Sequence, residues 1–270
     1  SHVIPGEERP MTAADLIDDL ASQGQYHFTT KEAVGRLGVS VAAARTSIRR
    51  LQSKGLVAAP HRGFHVVVPP EYRRLGCLPA DQFVPQLMQH LGLAYYAALL
   101  TAGRYHGAAH QQPQVFQVVV AQNRPPITCG EVRVSFVARR NAADVPTVRL
   151  NTPRGYLAVS TPEATAFDLV GYPQHSGGID NVATVLAELA EQLDPAALAS
   201  LAPLSPVPWA QRLGHLLERV GAADKASPLA EHVASVVNET TALVPSSPAE
   251  GAPYDKRWRL LANVQVEPDL

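Results

Sequence analysis

Cysteine is nearly missing. The chain has two in 270 residues, Cys77 and Cys129, and no CxxC spacing. That argues against a disulfide framework and a cysteine zinc site, and it fits the cytosol. Long apolar runs are missing too. The longest candidate, residues 91–102, is interrupted by Gly92 and two tyrosines and falls short of the ~18 residues a membrane-spanning helix needs. No basic-then-apolar leader opens the chain. Ser1-His2 reads as a tag remnant, a native start is expected at Val3 or Met11, and residues 1–11 are expected to be a flexible terminus. Charged residues are modest at 17% against 46% hydrophobic, an ordinary globular balance that argues against general disorder. Proline is plentiful at 23 residues, so short elements and many turns are expected. No tandem repeat is visible at solenoid periods.

The net charge of −1 hides an asymmetry. Residues 25–74 hold nine Lys/Arg (Lys31, Arg36, Arg45, Arg49, Arg50, Lys54, Arg62, Arg73, Arg74) against Glu32 and Glu71, a balance of +7. From Gly76 onward 13 basic residues face 17 acidic ones, or −4. A basic head on a mildly acidic body points to one domain that meets nucleic acid and one that does not.

In the head, residues 12–21 read as a helix with Leu16, Ile17 and Leu20 on one face. Thr29 and Glu32 offer a capping box for a short second helix that Gly38 ends. Ser40 caps a third helix over residues 41–54, whose inward stripe is Ala44, Ile48 and Leu51. Gly55 stops it. Leu56-Val57, the turn Pro60-His61-Arg62-Gly63 and a return over residues 64–68 complete a hairpin. Helix, glycine turn, helix and basic-tipped hairpin make a winged helix-turn-helix over residues 12–75.

The outward stripe of the third helix is then Ala42, Arg45, Thr46 and Arg49. A recognition helix enters the major groove with its N-terminal half leading, so Arg45 and Arg49 reach guanine O6/N7. Arg50 and Lys54 suit phosphates, as does Ser40 while capping. His61 and Arg62 at the wing tip suit a phosphate or the minor groove. Against this stands the plain reading that such arginines are solvated surface charges, or that the head is a protein-interaction module.

Residues 76–270 read as a larger mixed α+β domain. Helices are expected over 82–91, 94–104, 161–170, 181–192, 195–201, 208–220 and 229–237, with strands over 115–121, 132–138, 156–160 and 260–266. Chemistry is scarce there. His106 and His110 sit at i, i+4 but lack the HExxH glutamate. Ser160 with either histidine and Asp168 has no GxSxG elbow around it, and a capping role is expected for Ser160. Gly177-Gly178-Ile179-Asp180 reads as a loop-to-helix turn. Glu163 reads as a helix-start acid and Asp168 as a surface acid. No catalytic residue, metal site or cofactor is expected.

Several motifs resemble the AbiEi antitoxins of AbiE abortive-infection systems, a type IV toxin–antitoxin class. In the head they are residues 36–40 (RLGVS), 48–51 (IRRL) and 62–64 (RGF). In the body they are residues 94–102 (AYYAALLTA), 106–113 (HGAAHQQP), 160–169 (STPEATAFDL), 177–180 (GGID) and 211–214 (QRLG). The resemblance implies a cytoplasmic, non-enzymatic phage-defence protein. Its winged helix represses its own operon at inverted repeats in promoter DNA. Its C-terminal domain neutralises a nucleotidyltransferase-like toxin, with direct contact left open. Two rivals remain: a transcription regulator sensing a ligand in a pocket of Tyr105, His106 and His110, and a nucleic-acid-modifying enzyme, which needs clustered carboxylates and a metal.

Overall fold

The computed structural model describes residues 8–108 and 114–270. His110, and the expectations for the first residues of the chain, lie outside them. The elements run α1 (Ala13–Ser22), β1 (His27–Thr29), α2 (Thr30–Leu37), α3 (Val41–Ser53), β2 (Val57–His61), β3 (Phe64–Val67), α4 (Val84–Leu91), β4 (Tyr95–Ala97), α5 (Leu99–Tyr105), β5 (Phe116–Val120), β6 (Ile127–Cys129) and β7 (Val132–Ala138). They continue as β8 (Thr147–Thr152), β9 (Gly155–Ser160), α6 (Pro162–Gly171), α7 (Ile179–Leu189), α8 (Pro195–Leu201), α9 (Val207–Arg219), α10 (Ala223–Val236), β10 (Thr241–Ala242), β11 (Tyr254–Asp255) and β12 (Leu260–Leu261). The class is α+β. No helix among the described residues is long and apolar enough to cross a membrane.

Two compact units emerge. Of the described residues, the first holds 8–93, 125–135 and 151–157, so the unit that contains 12–75 also takes in 76–93 and two later segments. Thr12 and Asp15 form a reciprocal capping box on α1. The hydroxyl half of the expected Thr29–Glu32 box is present, with Glu32 N donating to Thr29 Oγ1 at 3.0 Å. Gly38 ends α2 in the left-handed region at φ 63°, a geometry that disfavours a Cβ. The inward stripe of α3 is Ala44, Ile48 and Leu51, as its spacing requires. All three are buried, and Ile48 and Leu51 join Leu16, Leu20, Phe28, Ala33 and Val57 in the core of the unit.

Its sheet has three antiparallel strands in the order β1-β3-β2, with β1 an addition to the expected hairpin. Three residues between two helices carry too little alternation to read as a strand. β1 is fixed by pairing across the chain, His27 with Val66 and Thr29 with Phe64. Behind it, Thr30 Oγ1 and His65 Nε2 lie 2.9 Å apart, and His65 Nδ1 is buried without a partner.

The second unit holds residues 94–124, 136–150 and 158–270. Its sheet strands include β5 and β4. β4 pairs antiparallel with β5 and parallel with β9. The helix expected over 94–104 is therefore corrected: it opens as a strand and becomes helical only at Leu99. The break is local. Leu99 takes φ 56°, and Gln117 ties down both sides of it through Ala98 N–H to its carbonyl and Leu100 N–H to its side chain, both at 3.0 Å. Two further expectations change. α10 begins at Ala223 rather than 229 and runs through Pro228, and the final strand spans only Leu260–Leu261.

The QRLG motif explains how the end of the chain is held. Gln211 Nε2 lies 3.0–3.1 Å from the carbonyls of Glu239, Trp258 and Arg259. Arg212 Nε donates to Ala242 O at 3.1 Å. A Cβ on Gly214 meets the Trp258 ring at 2.1 Å. Alanine is worth about 1 kcal/mol more than glycine inside a helix. Overpacking against a buried indole costs about 1–3 kcal/mol, so glycine is the better residue here.

The buried His65 ring gives this fold a pH dependence. Burial pushes its pKa below the ordinary 6.5. The unfolded chain therefore binds the proton more readily, so the contribution is full above about pH 6.5 and is lost as pH falls through the folded value. The urea midpoint is expected to drop between pH 7 and pH 5. His65→Gln, which stays neutral, is expected to reduce that drop; an identical drop in the variant refutes the assignment.

Candidate functional site

The face of α3 opposite its core stripe is exposed at Ala42, Arg45, Thr46 and Arg49, with Arg50 and Lys54 exposed on its flank. Ser40 caps the helix, its Oγ accepting from Ala43 N at 3.1 Å. Thr46 Oγ1 donates back to Ala42 O at 3.0 Å, which leaves its lone pairs outward. At the hairpin tip Arg62 is exposed and His61 is half-buried, with Nδ1 3.1 Å from Arg62 O.

These cations differ from others in the same unit. Arg36 is paired with Asp19, and Arg73 Nε donates to Val68 O at 2.9 Å. Among the described residues, Arg45, Arg49, Arg50, Lys54 and Arg62 make no ion pair. The α3 sequence also contains no acid. Of the nine cations behind the +7, Arg36 and Arg73 are engaged internally, and Lys31 and Arg74 join the five above in making no ion pair among the described residues.

In the second unit the candidate side chains weighed from the sequence are engaged separately. His106 Nε2 lies 2.7 Å from the backbone oxygen of Ser160. Ser160 Oγ instead pairs with Thr165 Oγ1 at 2.7 Å. The helix cap is Thr161, not Ser160, because Thr161 Oγ1 accepts from Ala164 N at 3.2 Å. Among the described residues, Ser160, His106 and Asp168 do not assemble a Ser–His–Asp relay. Gly178 forms the N-cap of α7, and Asn181 braces the turn by donating to Ser176 O at 2.8 Å.

Asp168 requires the largest correction: it is fully buried rather than a surface acid. Its Oδ1 accepts from Arg139 Nη1 and its Oδ2 from Tyr96 OH, both at 2.7 Å. Arg139 further donates from Nε to Asn141 Oδ1 at 2.9 Å and from Nη2 to Leu204 O at 2.9 Å. Its guanidinium carbon lies 5.1 Å from the Trp209 ring centre. Burial pushes the Asp168 carboxyl upward, while Arg139 and Tyr96 pull the other way. Burial, then the neighbouring carboxylate, raises the Tyr96 phenol. The signal is present in the sequence. Asp168 stands in a helix whose flanking residues 164–170 are otherwise apolar or small, so no face is left for a solvated acid. This unit also carries an open cleft of about 880 Å³, lined by residues that include His215, Arg219, Tyr254, Asp255 and Lys256.

Fold and surface define a mixed α+β protein with a cationic three-helix head and a body without assembled catalytic machinery among the described residues. Residues 96–219 match the family model for the AbiEi antitoxin C-terminal domain. The match bears out the AbiEi-like resemblance and supports an antitoxin role in a toxin–antitoxin system, with a cognate toxin as partner. No curated protein matches the sequence. Among solved structures, the RV2827C protein from Mycobacterium tuberculosis shares the fold at TM-score 0.68 and 20% identity, over 92% of this chain and 90% of that one. An antigenic nucleotidyltransferase-like protein from Paracoccidioides brasiliensis aligns at TM-score 0.36 and 12% identity, over 56% of this chain and 90% of that one.

The Asp168–Arg139 pair gives a stability prediction. Asp168→Asn removes the charge that compensates Arg139, so a destabilisation of about 3–5 kcal/mol is expected. Asp168→Leu combined with Arg139→Met removes both charges and is expected to cost less than Asp168→Asn alone. Denaturation of the single and double variants measures this; a double variant worse than the single shows that the lost hydrogen bonds outweigh the stranded charge.

Proposed function

We propose that residues 12–75 are a winged helix-turn-helix that binds double-stranded promoter DNA at inverted repeats and represses the protein's own operon. Residues 76–270 neutralise a nucleotidyltransferase-like toxin in an abortive-infection system that acts against phage in the cytoplasm. The observation that carries the DNA reading is the set of five exposed, unpaired cations on α3 and the hairpin tip. α3 is the recognition helix and β2–β3 the wing. Arg45 and Arg49 reach guanine edges; Arg50, Lys54 and Ser40 meet phosphates; Ala42 and Thr46 pack along the base edges; His61 and Arg62 hold the backbone or minor groove beside the site. The family match to residues 96–219 supports the antitoxin half.

Salt dependence tests the electrostatics. Neutralising about four to six phosphates gives a log–log slope of roughly −4 to −5 per bound chain. A slope near zero removes the DNA reading and leaves a protein-interaction module.

The division of labour has its own test. Arg45→Ala together with Arg49→Ala keeps helix propensity, so folding is expected to hold. Two base contacts worth roughly 1–3 kcal/mol each are lost, so specific promoter binding falls by about a hundredfold or more. With both genes driven from an unrelated promoter, protection from the toxin is expected to persist. A folded double variant that fails to protect places neutralisation partly in the head.

A further inference from the structure

The first turn of α3 exposes apolar surface that the fold does not use. Val39, in the turn between α2 and α3, is 39% exposed, and Val41, the first residue of α3, is 48% exposed. Ala42 and Ala43 follow, also exposed. The packing of α3 is carried by Ala44, Ile48 and Leu51. Val41 is therefore available to something outside the chain.

Its surroundings restrict what that is. Val41 and Arg45 are i, i+4 neighbours, so a branched apolar group and an unpaired guanidinium stand side by side. Arg49 follows one turn later, and the helix bears no acid. An apolar protein partner suits a broader hydrophobic patch than two valines with an unpaired arginine one turn along the helix. A polyanion with small apolar groups among its hydrogen-bonding edges suits this one. The major groove of duplex DNA has that character where thymine presents its C5-methyl beside its O4.

We propose that Val41, flanked by Val39, is a specificity-determining residue that packs on a thymine C5-methyl group next to the guanine read by Arg45. The head then selects duplexes in which thymine adjoins guanine in each half-site. This inference rests on the DNA-binding reading and adds to it the base that the cations alone do not read.

Selection from a randomised duplex library with the full chain is expected to return half-sites containing such a thymine. Replacing each thymine in the recovered duplex by deoxyuridine removes only the methyl. At one or two positions this is expected to weaken binding roughly three- to tenfold, the range for losing one buried methyl. Val41→Ala is expected to weaken binding to the thymine duplex and to abolish the deoxyuridine effect. Selected sites without thymine, a deoxyuridine effect under about twofold at every position, or an undiminished effect in Val41→Ala overturns the inference. Normal DNA binding by Val41→Ala with lost protection from the toxin also overturns it, assigning the patch to a protein. The deoxyuridine series on the unmodified chain stands even if the variant does not fold. Absence of any salt-sensitive duplex binding is a different failure, that of the DNA reading itself.

Discussion

The second unit depends on one buried ion pair. Burying a carboxylate and a guanidinium costs several kcal/mol per ion, and the interior tolerates them only when their remaining hydrogen-bonding groups are met. Asp168 on α6 meets Arg139 just after β7 and Tyr96 on β4. The other arms of Arg139 reach Asn141 and the Leu204 carbonyl ahead of α9, while Trp209 of α9 lies across the guanidinium. A sheet and two helices thus share a set of directional contacts, and hydrophobic burial alone supplies no such direction. The pair adds little net stability, but it makes alternative packings expensive, because each one strands a charge.

The head follows the opposite rule. Exposed ion pairs contribute about 0–1 kcal/mol, so Arg36 with Asp19 does little for the fold. Arg45, Arg49, Arg50, Lys54 and Arg62 lack even that. Leaving like charges together on one surface opposes folding slightly, and no internal gain offsets it. Such an arrangement has physical sense when the compensating charge comes from another molecule, as a phosphate backbone provides. Val39 and Val41, at the start of the same helix, are likewise exposed and unused by the core behind it.

How much of this is legible in the sequence follows from how local each feature is. Ala44, Ile48 and Leu51 read correctly because i, i+4, i+7 spacing forces them onto one side of any helix. Gly38 and Ser40 read correctly because caps are decided within four residues. β7 is legible because its seven residues are rich in valine and close to alternating. β1 and β4, at three residues each, escape such a reading because their partners lie far along the chain. Residues 95–97 look helical beside a helical continuation, and only the left-handed Leu99 separates strand from helix. The capping hydroxyl of α6 falls one residue later than expected, since Ser160 and Thr161 are chemically alike and only the chain's direction selects between them. Asp168 misleads when an acid is judged by its type rather than by the apolar residues on every side of it.

Three of the motifs that carry the family resemblance in the body, 94–102, 160–169 and 211–214, are mostly interior, whereas Gly177-Gly178-Ile179-Asp180 is not. Tyr96, Ala98, Phe167, Asp168, Gln211 and Gly214 are buried, and each contributes to the architecture by closing the ion pair, filling the core, clamping the chain's last segment or admitting Trp258. A match to the model over residues 96–219 therefore identifies a scaffold, with its ion pair and its glycine contacts. It does not by itself identify the surface that meets a toxin. Residues that fix a fold resist substitution through packing, whereas residues that choose a partner are constrained only by that partner. A surface that meets a partner is to be sought among exposed positions, which the buried motif residues do not supply. The surface proposed above for DNA is easier to single out, because a uniformly charged partner calls for a set of unpaired cations that one chain alone can display.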